Sequence, residues 1–178
     1  MKLRRTMLGL AMGLLWVGAC VVNVQAQQGS DETKAQTKEH ADAVKTQPFK
    51  VEMTAEVLKG LPRKTVTVHN PHANTDETYE GVALSDLLAK YGAPLGNDLR
   101  GKALAYYVLA TGSDGYKAVY ALAEVDPSFH PGDVIVADTM DGKPLDAHAG
   151  PLRLVATEDK RPARGVRNLV SIEVKAAE

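Results

Sequence analysis

The chain has 178 residues, with 21 Lys and Arg against 22 Asp and Glu, five His, one Cys, one Trp, six Tyr and two Phe. This suits one domain of ordinary size and excludes a bulk polycation that holds nucleic acid by charge alone. A single cysteine, Cys20, also excludes a disulfide scaffold.

Lys2, Arg4 and Arg5 precede an apolar, uncharged run from Met7 to Val24, the charged-then-apolar order of a secretory signal. Val24-Gln25-Ala26 is a small-residue cleavage site, whereas Val17-Gly18-Ala19-Cys20 resembles a lipoprotein box. Val21, Val22 and Val24 follow Cys20 where a lipidated cysteine normally meets a polar tether, which favours cleavage after Ala26 over anchoring at Cys20. Residues 1–26 are therefore read as a signal peptide, and the expected location is periplasmic or secreted. Cleavage there removes the one thiol, and with it Cys-ligated zinc, iron–sulfur clusters and cysteine nucleophiles. It also removes three basic residues, so 18 basic face 22 acidic side chains in the remainder. No later segment is apolar enough to span a membrane.

Gln27 to Gln47 carries Val44 as its only large aliphatic residue. Such a segment buries too little surface to offset its ordering entropy, so residues 27–48 are read as a disordered tether and 49–178 as one domain. Phe49 to Met53 alternates apolar and polar residues, a half-buried strand. Thr54 is placed to cap a helix through Leu61, which Gly60 and Pro62 stop. Thr65 to Val68 is β-branched throughout and reads as a strand entering the loop His69-Asn70-Pro71-His72. Ser85 is placed to cap a second helix carrying Leu87, Leu88 and Tyr91. Further strands are expected at 103–109, 116–121, 134–137, 152–156 and 169–174. Short helices among many strands, without regular alternation, give an α+β domain built on a mixed β-sheet.

Several residue groups could carry chemistry. His69 and His72 form His-x-x-His, two imidazoles for zinc or copper without an obvious third ligand; surface loop histidines are the alternative. Asp114-Gly115-Tyr116 either presents a carboxylate and a phenol to a pocket or is a turn in which Gly takes positive φ and Tyr116 starts a packed strand. Asp141-Gly142 reads as a hairpin turn. Arg153, Lys160, Arg161, Arg164 and Arg167 cluster within fifteen residues. Guanidinium forks match phosphate or carboxylate, so the cluster suits an anionic ligand; a solvated face balanced by Glu158 and Asp159 is the alternative.

Four anchors occur in one order: Tyr79-Glu80-Gly81-Val82-Ala83-Leu84-Ser85-Asp86-Leu87-Leu88; Ser113-Asp114-Gly115-Tyr116; Asp141-Gly142-Lys143-Pro144-Leu145 with His148-Ala149-Gly150-Pro151-Leu152-Arg153; and Arg164-Gly165-Val166-Arg167 with Ile172-Glu173-Val174. Together they resemble the molybdopterin-binding domain of the sulfite oxidase family. The resemblance implies that fold, molybdopterin as cofactor, and cofactor contacts at His148, Arg153, Arg164 and Arg167. The residues themselves imply no cofactor.

The departures are equally specific. Family enzymes ligate molybdenum through a cysteine on a strand before the aromatic-x-Gly segment; here His69 stands at or near that place, and a neutral imidazole does not replace a thiolate. The arginines that follow the cysteine in the family are absent from Asn70-Pro71-His72-Ala73. The leading expectation is an exported domain of this type, oxidoreductase-like in scaffold, that binds a small anionic ligand or a periplasmic protein partner without redox catalysis. A molybdopterin oxidoreductase lacking a protein thiolate, and a metal-binding protein using His69 and His72, are the alternatives. No nucleophile triad, Gly-rich phosphate loop, HExxH, haem-attachment or flavin word offers another enzyme class.

Overall fold

Alternating apolar residues and β-branched runs produce an almost entirely antiparallel protein, described by a computed structural model over residues 47–177. The expected signal and nearly all of the tether lie outside these residues. In chain order the elements are β1 (Phe49–Glu52), β2 (Arg63–Asn70), β3 (Thr75–Ala83), α1 (Leu84–Lys90), β4 (Tyr106–Gly112), β5 (Lys117–Ala121), α2 (Leu122–Val125), β6 (Val134–Met140), β7 (Lys143–Pro144), β8 (Arg153–Ala156) and β9 (Leu169–Ala176). Four strands form one sheet in the order β1-β9-β4-β5; the other runs β2-β3-β6-β7, with β8 also paired to β6. This is the expected α+β class.

The central strands of the second sheet, β3, β6 and β8, are buried on both faces, and that positions the site. Along β6, Val134 and Val136 face the large core shared with the first sheet, together with Val108, Tyr120 and Ile172. Ile135 and Ala137 point the other way, into a small cluster with Val66, Tyr79 and Val155, as the period of two requires. Along β3 alternation alone sends Tyr79 to the small cluster and Val82, three residues on, to the large one, while the register to β6 shifts between Glu80 and Gly81. Asp138 is the extra residue of that bulge, and its carboxylate takes both Arg63 Nη atoms at 2.7 Å. The Arg63 hydrogen bonds hold the Asp138 carboxyl below the usual carboxylate range. Gly81 lets the strands close at the bulge: a Cβ there would lie 2.1 Å from the Val136 carbonyl oxygen. Leu84, Leu87 and Leu88 then turn α1 into the large core.

Several local expectations are corrected. The helix expected from Thr54 to Leu61 is one 3₁₀ turn, Ala55–Leu58, and Thr54 makes no capping hydrogen bond. Ser85 lies inside α1, whose N-cap is Ala83. Tyr91 is 41% exposed rather than on the buried face of that helix; its ring stacks on Phe49, centroids 6.1 Å apart. The strand expected from Ala103 starts at Tyr106, because Gly101–Ala105 is a 3₁₀ segment. β3, the longest strand, was not expected at all. His69 is not in a loop: β2 continues through Asn70 and pairs His69 with Asp76. Asp141-Gly142 is the expected hairpin turn, joining β6 to β7 with φ of 49° and 73°.

Candidate functional site

At the tip of the β2–β3 hairpin, Asn70 Oδ1 accepts the backbone N–H of His72 at 3.0 Å and of Ala73 at 3.3 Å, which closes the turn. The Asn70 amide donates to Glu77 Oε1 at 2.6 Å, and the Tyr79 hydroxyl donates to Glu77 Oε2 at 2.7 Å. Both Glu77 oxygens are thereby engaged. Arg153 Nη1 donates to the Tyr79 hydroxyl oxygen at 2.7 Å, and its guanidinium carbon lies 5.1 Å from the Tyr79 ring centroid. Burial, and then the bond to Glu77, push the Tyr79 phenol up to about 12, against the pull of Arg153. Arg153 Nε is buried and has no hydrogen-bond partner among the described residues. A buried guanidinium nitrogen without a partner costs free energy, so an acceptor brought to it would recover that cost.

The second wall comes from two turns that hold each other. Asp146 Oδ1 accepts the N–H of His148 at 3.0 Å and of Ala149 at 2.8 Å. The Asn168 amide donates to the His148 carbonyl at 2.9 Å, and the Asn168 N–H to the Ala149 carbonyl at 3.1 Å. Arg167 Nη1 lies 2.7 Å from His148 Nε2. Arginine has no acceptor, so His148 Nε2 accepts in this geometry.

Two continuous clefts result. The inner one, about 210 Å³, includes His69, His72, Asp146, His148, Arg153 and Arg167 in its lining. The outer one, about 850 Å³, includes His72, Asp114, Tyr116, Lys160 and Arg161. Arg153, Arg167, His72, Pro162 and Gly165 line both. Asp114-Gly115-Tyr116 combines its two readings. It is a turn, with Gly115 at φ 82° and Asp114 Oδ1 accepting the Tyr116 N–H at 2.9 Å. Yet Tyr116 is 48% exposed and lines the outer cleft instead of packing inward.

Arg164 stands apart from its neighbours in the basic cluster. Its fork meets Asp159 at 2.6 and 3.0 Å and Glu124 at 2.9 Å, and it lies 4.5 Å from the Tyr120 ring centroid. The Asp159 bonds first, then those to Glu124, raise its pKa against the effect of burial. It lines neither the inner nor the outer cleft. Glu124 also accepts the Ala121 N–H at 2.7 Å, closing the N-terminus of α2. No local sequence pattern pairs Glu124 with Arg164, forty positions on.

His69 and His72 both line the inner cleft, but His69 Nδ1 is spent on Asp76 Oδ1 at 2.9 Å. Among the described residues no group of three or more His, Cys, Asp or Glu side chains could hold a metal ion. The pair is a half site.

The model of the family described as the oxidoreductase molybdopterin-binding domain matches residues 42–178, starting inside the segment read as a tether. Among curated proteins none matches the chain significantly. The residues fit the family's cofactor in part. Its phosphate has acceptor oxygens for Arg153 Nε and for Arg167, but the described residues contain no thiolate for its metal. With the match spanning most of its length, the chain belongs to the oxidoreductase molybdopterin-binding domain family.

Proposed function

We propose that this protein is an exported member of the family that binds a small anionic ligand, for itself or for a periplasmic protein partner, and carries out no molybdenum redox chemistry. The observation that carries the reading is Arg153, a guanidinium on the cleft wall that among the described residues has a buried, unpartnered Nε and no carboxylate partner. His69, at or near the place of the thiolate by resemblance to the family, supports the non-catalytic part. A neutral imidazole leaves more positive charge on a metal and alters the potential at which it cycles. Lys2, Arg4 and Arg5 before the apolar run support export.

Titration calorimetry with inorganic phosphate tests the anion site. Arg153→Met and Arg167→Met should each weaken binding by about 1.5–3 kcal/mol per charge-assisted hydrogen bond lost. Wild-type affinity in both variants, or no phosphate binding by the wild type, would refute it.

A further inference from the structure

We propose that the outer cleft is a second anion subsite, centred on Lys160 and Arg161, so that the ligand is a small molecule bearing two separated anionic groups. This rests on the reading of Arg153 and Arg167 as the first subsite.

Three observations support it. First, the carboxylates adjacent in sequence do not neutralise these cations. Asp159 is held by Arg164. Glu158 lies over Gly132, where a Cβ would meet its Cγ at 2.1 Å, and it lines a different hollow with Tyr120 and His130. Among the described residues neither Lys160 nor Arg161 has an ion-pair partner. Asp114, the one acid lining the outer cleft, already accepts the Tyr116 N–H.

Second, the segment bearing Lys160 and Arg161 is held from two sides. The Arg164 fork ties it to Glu124 and Asp159, and the Tyr116 hydroxyl donates to the Ala163 carbonyl at 2.5 Å. A segment whose backbone is held in place before binding leaves only the two side chains to order on meeting an anion. Third, the outer cleft's volume of about 850 Å³ lies in the small-molecule range, and Arg153 and Arg167 join it to the inner one. One ligand can therefore touch both pairs of cations. Phosphate and carboxylate groups share this chemistry, and both suit a guanidinium and an ammonium.

The test is titration calorimetry of the full-length mature protein with phosphate, tripolyphosphate and citrate. Tripolyphosphate or citrate should bind at least about tenfold tighter than phosphate. The tighter of the two distinguishes a phosphorylated ligand from a polycarboxylate. Lys160→Ala/Arg161→Ala should abolish that advantage and leave phosphate affinity within about twofold of wild type. Lys50→Ala/Lys59→Ala, which removes the same charge from residues lining neither cleft, should keep the advantage. Equal wild-type affinity for all three probes would overturn the second subsite. So would an equal loss of phosphate and polyanion in the Lys160/Arg161 variant, or the same loss in the remote control. If Arg153→Met still abolishes phosphate binding in those cases, the first subsite stands; if the wild type binds no phosphate, the first reading fails as well.

Discussion

Two arginines of this domain rest on buried tyrosine rings, Arg164 on Tyr120 and Arg153 on Tyr79. Around Arg164 the charge is closed: Asp159 and Glu124 take its fork, and the Tyr120 hydroxyl donates to its carbonyl at 2.8 Å. Around Arg153 the charge is open. Among the described residues its one polar partner is a phenol, the nearby Glu77 is consumed by Asn70 and Tyr79, and Nε has nothing. The same side-chain pair therefore does two jobs. Where carboxylates complete it, the arginine fastens a loop to a helix; where they are withheld, it is the group proposed to meet an anion from outside.

The largest effect should come from the close approach of β3 and β6 beside Tyr79. Gly81→Ala drives a Cβ into the Val136 carbonyl, and the strands must part, at a cost of about 3 kcal/mol in chemical denaturation. The Arg153 site should fail before the Arg164 site, because Tyr79 is two residues from Gly81 on the strand that must part, whereas Tyr120 is on the other sheet. Phosphate binding should thus be lost in Gly81→Ala even where the protein remains folded.

The next effect is a crossover between the two arginines. Arg164→Met leaves Asp159 and Glu124 without their cation and should cost about 1–2 kcal/mol of stability after solvent screening, with phosphate affinity changed by less than about threefold. Arg153→Met removes the orphaned nitrogen and should leave stability within about 1 kcal/mol of wild type while phosphate binding falls. Thermal unfolding and calorimetry on the same two variants check this. If both change stability alike, the distinction is void.

A smaller effect appears only in alkali. Burial raises the pKa of both Tyr79 and Tyr120 above that of a free phenol. For a raised pKa, the stabilising contribution is complete below the unfolded value of about 10 and is lost as pH rises through the folded values. Stability should therefore be level from pH 8 to about 10 and fall above it. Tyr79→Phe and Tyr120→Phe should each flatten part of that fall, read by denaturation at fixed pH.

The half-buried strands β1, β5 and β9 were legible because their alternation is local. β3 was not: Asp76, Glu77, Glu80 and Gly81 give Thr75–Ala83 little strand character, and β2 and β6 impose its conformation through pairing. The helix at Thr54 failed because a suitable capping residue does not ensure that a cap forms. At the site, the basic residues were visible as a cluster, but their division was not. Arg164 is separated from Arg153 and Arg167 by Glu124, whose proximity arises only when α2 packs beside the loop. The value of Tyr79 was also hidden, since its role depends on Glu77 and on Arg153, a partner 74 positions away.

The central claim is that this chain kept the family's anion-holding wall and gave up the ligand to its metal. It is tested most directly by the molybdenum-to-protein ratio of the mature protein, purified from a host with intact molybdopterin synthesis and export, with small-molecule phosphate compounds released and weighed from the same sample. The account predicts molybdenum far below stoichiometry. A stoichiometric ratio, with redox turnover that disappears in His69→Ala, would contradict it.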